Sequence, residues 1–421
     1  MTATPADYYD KPARRWYALA ILVLIYSCHY LDRSVVGVLV EPIKAEFALS
    51  DSQIGLLTGL VYGAAFAAAG IPLGMLIDKL NRRNLLCIIL VLWSGLTALS
   101  GRAQNFTQLL IARVGVGATE SGGSPASMSM ISDIFPPNQR ATAVGFFFVS
   151  SALGMLLSNM GGGWVAEHWG WRTAFFVAGV PGIILAIVLF LTVREPPRRT
   201  AKSDAGSGLL ATFAFIGRDP ALRTLLPGMV LWAFCASSAA AFTVAFLQRS
   251  HGLSIAEAGA VAAITMGVFS ALGAVTGGFL SDRMAQKGIH RALWFLTLST
   301  VATAITALAA ITVPDLLLCI VLSAIWHFIA GFYFGPSYGL AISIAPPQMR
   351  GTSISILQVG ANLLGYGFGP YFTGILSDLY SGPDSLRYSL ATVISLYFVV
   401  AILFGFAAHS VQKNPGATQV T

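Results

Sequence analysis

Four ionisable residues, Asp32, Arg33, Arg113 and Glu120, stand inside stretches of the chain that are otherwise apolar. In a lipid-crossing helix each such charge costs about 2.5–3.5 kcal/mol or more, so it is kept where it faces other helices or water and serves a purpose there. The chemistry open to carboxylates beside guanidiniums at that depth is uptake and release of a proton, and the holding of a charged group. Asp32 and Arg33 are adjacent in "HYLDRSVVGVL". Being about 100° apart around a helix, they cannot share a face. Arg113 and Glu120 are seven residues apart and lie along one face. These four are the candidate proton-coupling residues, and Arg33, Arg113 and Glu120 are also candidates for lining a substrate cavity. His327 in "IWHFIAG" and its neighbour Trp326 complete that candidate cavity. A histidine so placed more often packs, hydrogen-bonded, at a helix interface.

Depth favours one pairing. At about 1.5 Å of rise per residue, Asp32 lies roughly 13 Å below the end of its run near Glu41. Arg113 and Glu120 lie roughly 9 Å and 20 Å below the start of theirs near Thr107. Asp32 and Arg113 share a level and are expected to pair, with Glu120 near the midplane. Burial favours the neutral acid and a nearby arginine the charged one, so a motion that separates the two would move a proton. The plainer alternative is an ion pair that locks two helices, with little net stability because desolvation offsets the attraction.

The elements that must position these groups are membrane-spanning helices. Of 421 residues, 56% are hydrophobic and 10% charged, with a mean hydropathy of +0.73; ordinary soluble domains are about 25% charged. Runs long enough to cross a bilayer, about 20 residues, fall near 16–40, 53–77, 84–101, 106–133, 138–164 and 173–193. A second set falls near 221–248, 254–281, 291–312, 315–345, 349–376 and 387–408. The expectation is an all-α membrane protein of twelve transmembrane helices in two six-helix bundles. The first run carries Asp32 and Arg33 and lacks a small-x-small cleavage site, so it reads as a span rather than a signal peptide.

Other signals are weaker. The four cysteines lie in apolar runs at unrelated spacings and read as small core residues. Asn105-Phe106-Thr107 matches a glycosylation sequon, but Asn105 equally suits a helix N-cap. No phosphate-binding loop, nucleophile triad or zinc-ligand spacing is present, which disfavours an enzyme or an ATP-driven pump. No cofactor or metal is expected. With both termini on one side, that side's segments hold eighteen of the 25 lysines and arginines and the opposite side five, Arg33 and Arg113 being internal. The positive-inside rule then places both termini in the cytoplasm. The net charge of +7 reports topology, not nucleic-acid binding.

The halves echo each other. "GMLIDKLNRR" at Gly74 is matched by "GFLSDRMAQK" at Gly278, and "PPNQRAT" at Pro136 by "PPQMRGT" at Pro346. A polar connection at 194–220 separates an N-terminal bundle at 1–193 from a C-terminal bundle at 221–421. Parallel six-helix repeats of this kind characterise secondary transporters with a site between the halves. Charges at the helix ends of the "GMLIDKLNRR" loop, Lys79, Arg82 and Arg83, can pair with Asp133 and Glu195, and Asp78 can approach a helix N-terminus.

The pattern of Gly74, Asp78, Lys79, Arg82 and Arg83 resembles the signature loop of the major facilitator superfamily, with a weaker copy at Gly278, Asp282 and Arg283. "YLDRSVVGVLVEPIKAEFALSDSQIGLLTG" and "RVGVGATES" are most similar to its Spinster family. Asn159 stands where the superfamily's antiporter motif has proline. The resemblance implies transport by alternating access, with the residues from Gly74 to Arg83, Asp133, Glu195, Asp282 and Arg283 forming a cytoplasmic gate. In the superfamily Asp78 would face the helix that starts near Met349 and Arg350. The resemblance further implies a lysolipid or sphingolipid-like substrate, moved in exchange with or driven by protons. A small organic anion or drug is the alternative substrate, and a membrane sensor that no longer transports is the alternative of another class. The expected protein is monomeric, surrounded by membrane lipids and multi-pass in the inner (plasma) membrane.

Overall fold

The computed structural model describes residues 8–198, 209–346 and 349–413; part of the expected linker, 199–208, lies outside them. Within the described residues the chain is helical throughout, with no strand. The reason is general: inside lipid every backbone N–H and C=O must be satisfied within its own segment, and a helix does that.

Among the described residues twelve spans follow in order. They are α1 (Pro12–Val38), α2 (Asp51–Lys79), α3 (Arg82–Ser100) and α4, in two stretches, Phe106–Glu120 and Gly123–Ile134. The next pair, α5 (137–169) and α6 (171–192), meet at Gly170. The second six are α7 (Leu222–His251), α8 (Ile255–Ala285), α9 (Ile289–Thr312), α10 (Leu316–Gly331 and Phe334–Ile344), α11 (350–380) and α12 (Ser385–Lys413). Short helices at Val40–Phe47 and Leu209–Arg218 lie between spans.

Side chains written into the sequence start these helices. Asn81 caps α3 by accepting from Asn84 N, Asn105 caps α4 by accepting from Gln108 N, and Asp315 caps α10 by accepting from Leu318 N. Ser254 and Glu257 form a reciprocal capping box at α8. Each satisfies an amide that has no partner within its helix. The sequon asparagine therefore serves as an N-cap.

The interval expected between α5 and α6 is not a loop. Both helices run on to a single corner residue, Gly170, at φ 82° and ψ 160°. Only glycine takes up that conformation without penalty.

Two compact units are resolved, and the described residues divide as 8–49, 56–198 and 253–263 in the first, and 50–55, 209–252 and 264–413 in the second. The first turn of α2 thus belongs to the second unit, and the start of α8 to the first. The first unit is packed around Trp93, Phe135, Phe147 and Leu90. In the second, Trp232 stacks on Tyr333 with centroids 3.7 Å apart, beside buried Tyr397 and Phe404. Large apolar side chains such as Ile71 and Leu191 in the first unit, and Val275 and Leu317 in the second, stand exposed. That is a liability in water and a requirement in lipid.

The internal repeat is also one repeated local structure. Arg140 Nε donates to Phe135 O at 3.1 Å, and Arg350 Nε donates to Ala345 O at 3.1 Å. Each arginine satisfies a carbonyl at the C-terminal end of the preceding helix, once in each unit.

Candidate functional site

The ionisable residues inside the first six spans converge in the first unit. Asp32 on α1, Tyr62 on α2, and Arg113 and Glu120 on α4 are all buried. Gly117 makes this possible: a Cβ there would sit 2.6 Å from Tyr62 O. Without a side chain at that position, α4 can lie directly on α2. Tyr62 then donates its hydroxyl hydrogen to Glu120 Oε2 at 2.5 Å. Gly117→Val should therefore force the two helices apart, at a cost of about 1–3 kcal/mol typical of overpacking. A lowered Tm in detergent checks it.

His29 Nδ1 lies 3.2 Å from the same Glu120 oxygen, within ion-pair range though not aligned as a hydrogen bond. Its ring is stacked on Tyr26 (4.9 Å, 5°), which is stacked in turn on Phe147 (4.5 Å, 14°). The imidazole is held at one height and one orientation. The guanidinium carbons of Arg33 and Arg113 stand 5.2 and 5.4 Å from the centre of the Tyr62 ring, where the ring quadrupole attracts cations.

Asp32 and Arg113 do meet at one level, but not as a carboxylate–guanidinium pair. Arg113 Nη1 donates to the backbone carbonyl of Asp32 at 3.2 Å. Both Asp32 carboxylate oxygens, Arg113 Nε and Nη2, and Glu120 Oε1 are buried without a hydrogen-bond partner in the chain. A level read from helix rise fixes height, not the direction in which a side chain points. Buried polar atoms are nearly always paired, so this much unused capacity in one place marks a site that handles protons or polar groups.

A second constellation sits where α2, α3, α4 and α6 have their other ends. Arg82 is buried and works as a hub: Nε donates to Glu195 Oε1 at 2.8 Å, Nη1 to Asp133 Oδ2 at 2.5 Å and Ser129 Oγ at 2.9 Å, and Nη2 to Pro196 O at 2.7 Å. The second oxygen of Glu195 accepts from Arg83 N at 2.8 Å. Of the expected charge pairs, Arg82 makes both, with Asp133 and Glu195; Arg83 reaches Glu195 through its backbone amide while its guanidinium turns to Asn84 Oδ1 and Val193 O. Asp78 and Lys79 are exposed and make no hydrogen bond or ion pair among the described residues, and Gly74 faces open space. In the C-terminal copy Asp282 and Arg283 are exposed, with the Arg283 guanidinium over the Phe279 ring at 4.3 Å.

In the second unit, His327 is buried and its Nδ1 lies 2.7 Å from Ser323 O, one turn earlier. Trp326 is buried against it, with ring centroids 4.4 Å apart. This is the hydrogen-bonded packing that the sequence favours for that histidine. Among the described residues, no group of three or more His, Cys, Asp or Glu could hold a metal ion.

Two members of the buried cluster escape the sequence reading. His29 precedes Asp32 by three residues and so lies on the same side of α1, a spacing that points to it. Nothing in the sequence singles out Tyr62.

Charged groups at span depth in the first of two repeated six-helix sets point to a membrane transporter, and comparison with known proteins agrees. Residues 22–370 match the Major Facilitator Superfamily, to which this chain belongs. An "MFS-type efflux pump" of Mycolicibacterium smegmatis (strain ATCC 700084 / mc(2)155) is 30% identical, covering 98% of this chain and 97% of its own. A "Probable L-galactonate transporter" of Escherichia coli (strain K12) is 27% identical over 87% of this chain and 84% of its own. Among solved structures, a bacterial homologue of the human lysosomal transporter Spinster, inward-facing and unoccupied, superposes with a TM-score of 0.86 at 28% identity. It covers 95% of this chain and 98% of its own. Within the superfamily the chain is Spinster-like.

Proposed function

We propose that this protein is a proton-coupled secondary transporter that moves an amphipathic, lysolipid-like substrate by alternating access. One observation carries the reading: Glu120, His29 and Tyr62 form a contiguous set of proton-holding groups beside the Asp32 carboxylate and the Arg113 Nε and Nη2, buried atoms with no hydrogen-bond partner in the chain. Among acids and bases, the interiors of α7 to α12 hold only His327. A substrate with one charged headgroup and an apolar tail suits that asymmetry. A small solute charged at both ends would leave part of its charge unpaired, which is expensive in a dry site.

The same reading places both termini in the cytoplasm, by the distribution of lysine and arginine. The Arg82 hub and the loop from Gly74 to Arg83 then lie at the cytoplasmic ends of the spans. There the exposed Asp78, Lys79, Asp282 and Arg283 are free to act as gate contacts. The protein works as a monomer of the inner membrane, with Arg33 and Trp326 in its substrate path.

A second reading, transport of a small organic anion, is favoured by two guanidiniums around one tyrosine ring and by the sugar-acid transporter among the relatives. Binding of one zwitterionic lysophospholipid headgroup with tails of about six to eighteen carbons separates the two. Affinity should climb with tail length, with about 0.8 kcal/mol available per methylene fully buried. A flat response, or tighter binding of galactonate, moves the assignment to the organic anion. Binding without uptake into proteoliposomes would instead identify a sensor.

A further inference from the structure

An apolar groove lies on an exposed face of the first unit, between α3 and α6. Its floor is made of small residues, Cys87 and Ala186, both buried and in contact: Cys87 Sγ donates to Ala186 O at 3.6 Å. Its walls are long side chains, Ile88 and Leu92 on α3 and Ile187 and Phe190 on α6, all exposed. Further along, the two helices lock together, since a Cβ at Gly182 would meet Ser94 Oγ at 2.0 Å. About 400 Å³ lies between the walls.

Phe190 joins the groove to a cation. The Arg83 guanidinium stands over its ring, 4.9 Å from the centre. From Arg83 to Leu92 the helix rises roughly 14 Å, close to half of a hydrocarbon core about 30 Å thick. The groove therefore has the length of one leaflet, with a positive charge at the level of that leaflet's headgroups. The Arg83 donors go to neutral oxygens: Nη1 to Phe190 O at 3.4 Å and Val193 O at 3.3 Å, and Nε and Nη2 to Asn84 Oδ1 at 3.0 and 2.7 Å. The neighbouring Glu195 carboxylate is turned to Arg82 Nε and to the Arg83 amide.

Two more arginines stand on the α1 side of the same helix end. Tyr8 donates to Thr192 O at 3.1 Å, and its ring has the guanidiniums of Arg14 and Arg194 at 4.4 and 4.7 Å from its centre. The ring quadrupole attracts both cations but neutralises neither. In segments 8–15, 78–84, 133–140 and 194–198, at this end of the spans, nine lysines and arginines stand against four carboxylates. Lipid tails are as apolar as leucine, so a groove alone prefers no lipid over another. Charge at its mouth does, because basic pockets between spans take up acidic headgroups.

We propose that the α3–α6 groove binds an anionic phospholipid of the surrounding membrane, with one acyl chain in the groove and the phosphate on Arg83, reinforced by Arg14 and Arg194. This lipid is a resident of the protein surface and not its cargo, so the inference does not depend on the substrate proposed above.

Native mass spectrometry of the full chain tests it, with titration of dioleoylphosphatidylglycerol against dioleoylphosphatidylcholine, which has the same chains and no net charge. Phosphatidylglycerol should bind more tightly. Arg83→Gln and Arg194→Gln should each weaken it about fivefold, the weight of one basic side chain near an acidic surface, and leave phosphatidylcholine unchanged. Ile187→Trp fills the groove from an exposed wall and should weaken both lipids. A diazirine in the phosphatidylglycerol acyl chain should label peptides covering 84–92 and 184–191, and Ile187→Trp should remove that label. Equal affinity for the two lipids, or label confined to other spans, overturns the site. Displacement of the lipid by an equal concentration of glycerol 3-phosphate would reduce it to an anion site and overturn the lipid. If Arg83→Gln does not fold, Arg194→Gln carries the same readout. Asp32→Asn should bind phosphatidylglycerol as the wild type does; a loss there would put the lipid in the buried cluster and overturn the groove, whereas failure of the proposed substrate to bind would leave it standing.

Discussion

Arg82→Ala should destabilise the protein more than any other single replacement outside the buried cluster. The side chain is buried and donates to two carboxylates, a serine and a backbone carbonyl on separate segments of the first unit. Its removal takes from Asp133, itself only 1% exposed, the guanidinium it pairs with at 2.5 Å. Breaking such a pair from one side costs about 3–5 kcal/mol. The expected result is a large fall in Tm, or loss of folded protein on size exclusion. Arg82→Lys should recover only part of it, because one ammonium cannot reproduce the planar fork that reaches Asp133 and Glu195 at once. A wild-type Tm for Arg82→Ala would show that the hub contributes nothing to the fold.

Asp32→Asn and Glu120→Gln are expected to abolish transport driven by a pH gradient. Asp32→Asn is the cleaner probe. Its carboxylate oxygens make no hydrogen bond in the chain, so the amide removes a proton site without breaking a contact, and Tm should stay near wild type. Glu120→Gln keeps an acceptor for the Tyr62 hydroxyl but removes the charge beside His29. The measurement is substrate-dependent proton movement in proteoliposomes, with substrate exchange at equal pH as the control. Loss of the first with survival of the second is the expected pattern. Wild-type gradient dependence in both variants would remove these acids from the coupling mechanism.

Much of this was legible in the residues themselves. Apolar runs and the repeat carry the twelve spans, because lipid leaves a chain few options and duplication writes the same solution twice. The Arg82 contacts were legible because opposite charges at helix ends, in a loop of known connectivity, have few other partners. The Asp32–Arg113 pairing was legible only as to height. Which atom of Asp32 the guanidinium meets depends on rotamers and on the exact crossing of α1 and α4, and periodicity does not encode either. Tyr62 enters through a close approach permitted by Gly117, a feature that looks like any other glycine in a sequence with 43 of them.

The corner at Gly170 has a consequence for how the protein is made. Two spans joined through one residue with left-handed backbone geometry have no length of polar chain to thread through a translocation channel. What crosses with the corner is little more than Glu167, His168 and Arg172. The stretch from Thr142 to Thr192, the longest apolar helical stretch among the described residues, must therefore enter the bilayer as a single folded-over unit.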